Sequence, residues 1–399
     1  MQDIDQLRED TPGCTGKLFL NSAGASLMPA TVVAAMKAHI DLEERIGGYK
    51  AGEVMSSAIE EFYSEVARLV NCKSSNVAFT YNATDSYSRA LSAIPFSPGD
   101  VVLTTNDDYI SNQIAFFSLR KRWGIRVERA ANLPNGDIDL NHVEMLIRER
   151  HPKLVAVTHI PTNSGLVQRV EEIGALCRQY DVWYLVDACQ SVGQLPVDMS
   201  RIGCDFLSAT GRKFLRGPRG TGFLCLSDKV IEKRLEPLYI DMRGATWTGA
   251  DEYEIQMSGR RFETWEFAYS SLLGLKEAIY YANQLDQEEI RNRNSHLSGN
   301  LRGRLAAIPG VSVLDRGSRL SSIVTFHVAG ANLENFCDFL NASHVYYSVS
   351  QKDAAWIDFT RKGVEWAIRF SPHYFNTLSE IEQTADLVEA FVRSGTPAG

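Results

Sequence analysis

Two stretches decide the fold: YLVDACQS at residues 184–191 and SATGRKFLRGPRGTGF at residues 208–223. In the first, an apolar run from Trp183 to Val186 ends on Asp187 and a turn. In the second, Phe206–Thr210 runs into a basic, glycine-rich loop before an apolar run resumes at Gly220. Short apolar or β-branched runs that end in polar turn residues read as buried strands. Working outward, the same pattern recurs at Val77–Tyr81, Val101–Thr105, Arg126–Ala130 and Leu154–Ile160, and with Trp183–Ala188, Phe206–Thr210 and Gly220–Leu226 it makes seven strands. Segments of helical period lie between them, at Ser111–Trp123, Leu140–Arg150 and Val170–Tyr180. This alternation predicts parallel βαβ units and an α/β domain with a mainly parallel seven-stranded sheet.

After Asp251 the pattern changes. Trp265–Gln284 and Glu288–Ala307 read as long helices, Leu333–Ala342 and Leu378–Arg393 as further ones, and Ser322–Val328, Val345–Val349 and Trp366–Phe370 as strands. A smaller α+β domain is expected there. The division adopted is a large domain over residues 18–270, a small domain from residues 1–17 and 285–399, and a connecting helix at 271–284.

The chain has 399 residues, and 41 Lys and Arg against 49 Asp and Glu give a net charge of −8. Such a surface disfavours nucleic acid and anionic membranes as partners. The first ten residues, MQDIDQLRED, lack the layout of a signal peptide, and no apolar run approaches the roughly 20 residues of a membrane span. The seven cysteines are scattered without a CxxC pair, as expected of reduced thiols in a cytoplasmic protein.

In an open parallel sheet, ligands bind beyond the carboxyl ends of the strands. Asp187 and Gln190 stand at one such exit. At another, Arg212, Lys213, Arg216 and Arg219 are interleaved with glycines, which permit the close backbone approach a phosphate needs. At a third, FTYNATDSYSRAL (residues 79–91) places Ala83 and Thr84 at a helix start, where free N–H groups form an anion site and a plain cap by Thr84 would read the same way. Neither GxGxxG nor GxxxxGK[ST] follows a strand, so no glycine fingerprint supports a dehydrogenase. A lysine beside a phosphate site, with an aspartate on a neighbouring strand, is what pyridoxal phosphate chemistry requires. The lysine forms a Schiff base with the aldehyde, and the aspartate keeps the pyridine nitrogen protonated.

With DACQS, TGRK and GPRGTGF in hand, the chain resembles the class V aminotransferase family of fold type I pyridoxal phosphate enzymes. That group contains cysteine desulfurases, isopenicillin N epimerase-like proteins and sulfoxide lyases. The likeness runs from LFLNSAGASLMP (18–29) to IRFSPHYFNTLSEIE (368–382). It implies Lys213 as the Schiff-base lysine, Asp187 as the pyridinium partner and Gln190 as a hydrogen bonder near the ring hydroxyl. It implies phosphate contacts from Ala83, Thr84, Thr210 and Arg212, ring stacking by Tyr109 in place of the usual His, and Thr162 where Asn is usual. Arg369 falls on the arginine that grips the substrate carboxylate, and Asn21 belongs to a turn that closes the pocket. The family also implies a homodimer with shared sites. Its GT pair, which reaches the neighbouring subunit's phosphate, is replaced here by Thr264, Trp265 and Glu266, of which Thr264 retains the hydroxyl.

Two departures bear on the reaction. Arg212 stands where many relatives have His. The segment VYYSVSQKDAAWIDF (345–359), where cysteine desulfurases carry a mobile loop with a catalytic Cys, contains none. The expectation is therefore a pyridoxal phosphate lyase that eliminates the β-substituent of a cysteine-like amino acid without a persulfide-forming thiol. An aminotransferase or epimerase using the same lysine is the alternative, and a non-catalytic regulator on the same fold is an alternative of another class. Arg243 and Trp247 in DMRGATWTG (241–249) stand equally for a side-chain pocket or a packed interface loop.

Overall fold

In the computed structural model, which describes residues 3–395, the chain forms fifteen short strands among helices. A two-residue strand, β1 (Leu18–Phe19), precedes seven that join in one sheet: β2 (Val77–Thr80), β3 (Val101–Thr105), β4 (Arg126–Ala130), β5 (Leu154–Thr158), β6 (Trp183–Asp187), β7 (Phe206–Thr210) and β8 (Gly222–Leu226). Their order is β2-β8-β7-β6-β5-β3-β4. Only β8 runs against its neighbours.

Helices cover both faces of this sheet, so residues that alternate along a strand enter different cores. Phe223 and Cys225 of β8, with Val155 and Val157 of β5, face one core; Leu224, Leu226, Leu154 and Ala156 face the other. The reversal at β8 matters for the site. Thr210 is paired with Gly222, so residues 211–221 form an excursion that leaves the sheet at the end of β7 and returns at once beside it. Lys213 lies on that excursion.

A hairpin, β9 (Ala245–Gly249) and β10 (Glu252–Ile255), comes next. A second, antiparallel sheet then forms from β11 (Val311–Val313), β12 (Val324–Val328), β14 (Ser348–Gln351) and β15 (Trp366–Phe370), in the order β11-β12-β15-β14. The short β13 (Val345–Tyr346) pairs with β1 instead. The single strand expected over Val345–Val349 is therefore two, divided at Tyr347, because its halves bond to different partners. The helix expected from Trp265 starts at Tyr269, with Trp265 exposed and its N–H held by the Asp241 carboxylate. The helices Ala30–Ile46 and Ser56–Val70 pack on Tyr269–Asn283. Leu7 and Cys14 near the N-terminus pack with Leu285, Ile290, Tyr374 and Phe375. No helix among the described residues is long and apolar enough to cross a membrane.

Candidate active site

A cavity of about 410 Å³ opens at the carboxyl ends of β5, β6 and β7, between the sheet and the start of the Ala83–Ala93 helix. Asp187, the last residue of β6, is buried in its wall. Its Oδ1 accepts the Cys189 N–H at 2.9 Å, and its Oδ2 accepts from Asn112 Nδ2 at 3.1 Å. Both carboxylate oxygens are thus held by the fold, which fixes the plane they present.

Lys213 enters from the β7–β8 excursion and is buried. Its ammonium makes no hydrogen bond or ion pair with a described residue, and the Tyr109 ring centroid lies 5.8 Å away. Burial, which disfavours the charged form, lowers its pKa to about 8; Cys189 and Asp187 oppose the shift, and the nearby Arg212 and Arg369 charges add to it. An amine with that pKa has a far larger neutral, nucleophilic fraction near neutrality than an ordinary lysine, and the neutral form dominates above about pH 8.

At the opposite end, Asn82 and not Thr84 caps the helix, since its Oδ1 accepts the Asp85 N–H at 3.0 Å. Ala83 and Thr84 line the cavity with first-turn N–H groups that no helical carbonyl can satisfy. Gly222 permits this turn to sit against β8: a Cβ there would lie 2.6 Å from Ala209 O and 2.9 Å from the Asn82 carbonyl carbon. Thr210 and Arg212 complete this end, the Thr210 hydroxyl donating to Thr221 O at 3.2 Å and Arg212 Nη1 donating to Gly24 O.

Gln190 donates to Ala23 O at 3.1 Å and to Thr162 Oγ1 at 3.0 Å, while its buried Oε1 has no hydrogen-bond partner among the described residues. Arg369, on β15, is 5% exposed and has no acidic partner among the described residues. Its Nη1 donates to Thr162 O at 3.1 Å and its Nη2 to Ser348 Oγ at 3.0 Å. Ser348 in turn donates to Asn21 Oδ1 at 2.7 Å, and the buried Arg369 Nε has no hydrogen-bond partner among the described residues. Burial lowers the guanidinium pKa to about 10, with Arg212 adding repulsion.

The structure brings nine of the twelve site residues expected from sequence into the cavity wall; Asn21 and Arg369 are joined to it through Thr162 and Ser348, and Thr264 stands apart.

 Ala83, Thr84, Tyr109, Thr162, Asp187, Gln190, Thr210, Arg212 and Lys213 line the cavity directly. Thr264 lines a separate surface cleft with Leu238 and Tyr239. One expectation is corrected. Of the four cations of the basic run, only Arg212 and Lys213 face the cavity. Arg216 is fully buried and turned away, donating to Leu27 O, Tyr374 Oη and Thr11 Oγ1 between aromatic rings, and Arg219 is exposed. Arg216 has φ 63°, and this left-handed turn aims it toward the N-terminal segment. Arg243 pairs with the buried Glu263 at 2.6 Å and Trp247 is 79% exposed, so neither shapes the cavity within one chain. Sequence reasoning missed Asp108, Asn112 and Ser348. The i, i+4 spacing of Asp108 and Asn112 at a helix start was the available signal for the first two, whereas nothing local marks Ser348.

A mainly parallel sheet with one reversed edge-side strand, a lysine on the excursion beside it and an aspartate at the neighbouring strand end define the fold type I class of pyridoxal phosphate proteins. The aminotransferase class-V family model matches residues 18–384, and the chain belongs to that family; it is a pyridoxal phosphate-dependent enzyme. A probable cysteine desulfurase of Methanothermobacter thermautotrophicus is 27% identical over 398 residues, covering 98% of each chain. Among solved structures, the apo cysteine desulfurase of Thermococcus onnurineus NA1 superposes with a TM-score of 0.90 at 24% identity, covering 99% of both chains. The cystine C-S lyase C-DES, in complex with its reaction product cysteine persulfide, gives 0.84 at 24% identity, covering 95% of this chain and 99% of that one.

Proposed function

We propose that the protein is a C–S lyase that carries out α,β-elimination on a cysteine-like amino acid. The observation that carries this is the absence of a usable thiol beside a free amine. Among the described residues lining the cavity, the one cysteine is Cys189, whose thiol is pushed well above its ordinary pKa by burial and by Asp187. No cysteine occurs in residues 345–359, and that segment is tied down through Ser348 to Arg369 and through Ser350 to Asn163 at 2.7 Å. Elimination needs no protein thiol.

The residues present suit the cofactor. The partnerless Gln190 Oε1, the free Lys213 amine and the helix start at Ala83 surround one cavity. In this assignment Ala83, Thr84, Thr210 and Arg212 hold the phosphate, Asp187 pairs with the ring nitrogen, Tyr109 stacks on the ring, and Gln190 with Thr162 orients the ring hydroxyl. Pyridoxal phosphate, when bound, supplies the electron sink for the Cα carbanion. Arg369 binds the substrate carboxylate through its unused Nε–H, with Ser348 and Asn21 holding the guanidinium in place. Lys213 would take the Cα proton and return it to the departing β-sulfur, so that a thiol leaves and the remaining three-carbon enamine hydrolyses to pyruvate and ammonia.

The assignment includes a homodimer in which Thr264 serves the partner's phosphate end. Exposed Leu238, Tyr239, Met242 and Trp247 around that region support an apolar contact with a second copy. Sedimentation of a monomer at micromolar concentration would refute it. A cytoplasmic location accords with seven unpaired thiols. Alkylation under native conditions tests the lyase reading: turnover is expected to persist, and stoichiometric inactivation through one modified cysteine would contradict it.

A further inference from the structure

Behind Asp187 lies a second carboxylate that this reaction does not use. Asp108 Oδ1 accepts the Tyr109 N–H at 2.7 Å, Thr158 Oγ1 at 2.5 Å and Asn112 Nδ2 at 3.1 Å. Its Oδ2 accepts Gln113 Nε2 at 2.6 Å and Thr104 Oγ1 at 3.2 Å. No Lys or Arg forms a salt bridge with it among the described residues; Arg129 reaches only Gln113 Oε1, at 2.6 Å.

Asn112 joins the two carboxylates. Its Nδ2 donates to Asp108 Oδ1 and to Asp187 Oδ2, each at 3.1 Å. An amide nitrogen is a donor only, and a reversed amide would set its carbonyl oxygen against two carboxylates. Asp108 therefore dictates which end of Asn112 faces Asp187. With Cys189 N–H on the other oxygen, the Asp187 carboxylate cannot rotate without losing a bond.

We propose that Asp108 and Asn112 are positioning residues for Asp187: Asp108 holds the Asn112 amide, and the amide fixes the carboxylate edge that meets the cofactor's ring nitrogen. This rests on the assignment of Asp187 as that partner. The test titrates the full-length apoprotein with pyridoxal phosphate and follows both the dissociation constant and the wavelength of the visible band. Asn112→Ala and Asp108→Asn are each expected to weaken binding about tenfold and to move the band. The double variant is expected to bind no more weakly than Asn112→Ala alone, since Asp108 acts through that amide. Thr158→Val, which removes the 2.5 Å donor, is expected to move the band in the same direction and keeps the test open should Asp108→Asn not fold. Losses that multiply in the double variant, or weaker binding with an unmoved band, would overturn the proposal. Wild-type protein that binds no cofactor overturns the assignment beneath it; wild-type binding matched by all variants overturns this inference alone.

Discussion

The two walls of the cavity hold their charges by different means. Asp187 ends β6 and Lys213 follows the adjacent β7, and each is placed largely by the residues just after its strand: the Cys189 N–H, joined by Asn112 Nδ2 on the other oxygen, for the carboxylate, and the β7–β8 excursion for the amine. Arg369 depends on groups remote in sequence, namely Thr162 O, Ser348 Oγ and, behind Ser348, Asn21. The first wall is set mainly at the strand ends, with Asn112 as its contribution from farther along the chain. The second exists only once two sheets and the N-terminal turn have come together.

The comparison can be broken most severely at Lys213. Lys213→Ala is expected to lower turnover by at least about a thousandfold and to abolish the visible cofactor band, read by absorbance. A variant that keeps both would remove Lys213 from the chemistry. At the other wall, Arg369→Ala is expected to lower kcat/KM for amino acids about a hundredfold, chiefly through KM, while cofactor affinity stays within about twofold. Equal losses of substrate and cofactor binding would make Arg369 a structural arginine.

A smaller effect follows from pH. Burial favours the neutral Lys213 amine, so in the apoprotein this form dominates above about pH 8. The rate of cofactor capture is expected to fall about tenfold per pH unit below that point and to level off above it, measured by growth of the visible band. A flat profile from pH 6.5 to 9 would contradict the shift. The same lowered value means the unfolded chain holds a proton that the folded chain releases between about pH 8 and 10.5, so this lysine's penalty on folding fades as pH rises through that window.

The contrast between the walls also explains what could be read from sequence. Most strands of the large sheet were legible because burial on both faces makes them near-continuous apolar runs, as in Leu154–Thr158, the edge strand β4 (RVERA) being the exception. Lys213 and Asp187 were legible because each follows such a run directly. The fates of Arg212 and Arg216 were not, although they are four positions apart: a left-handed backbone at Arg216 turns one of two equal charges into a clamp on Thr11 and Leu27. Ser348 was equally hidden, since its role depends on a partner 21 residues away across a strand pairing. The split of Val345–Val349 into β13 and β14 has the same origin, two partners competing for one extended segment.

The central claim is elimination, and one measurement addresses it directly. Purified holoenzyme is given L-cysteine, cysteine sulfinate and a panel of other amino acids without any keto acid, while pyruvate and the cofactor spectrum are followed together. Elimination predicts many turnovers of pyruvate from at least one cysteine-like substrate, with the starting spectrum restored. A single turnover that stalls with the cofactor in its amine form, and no further pyruvate, would contradict it in favour of transamination.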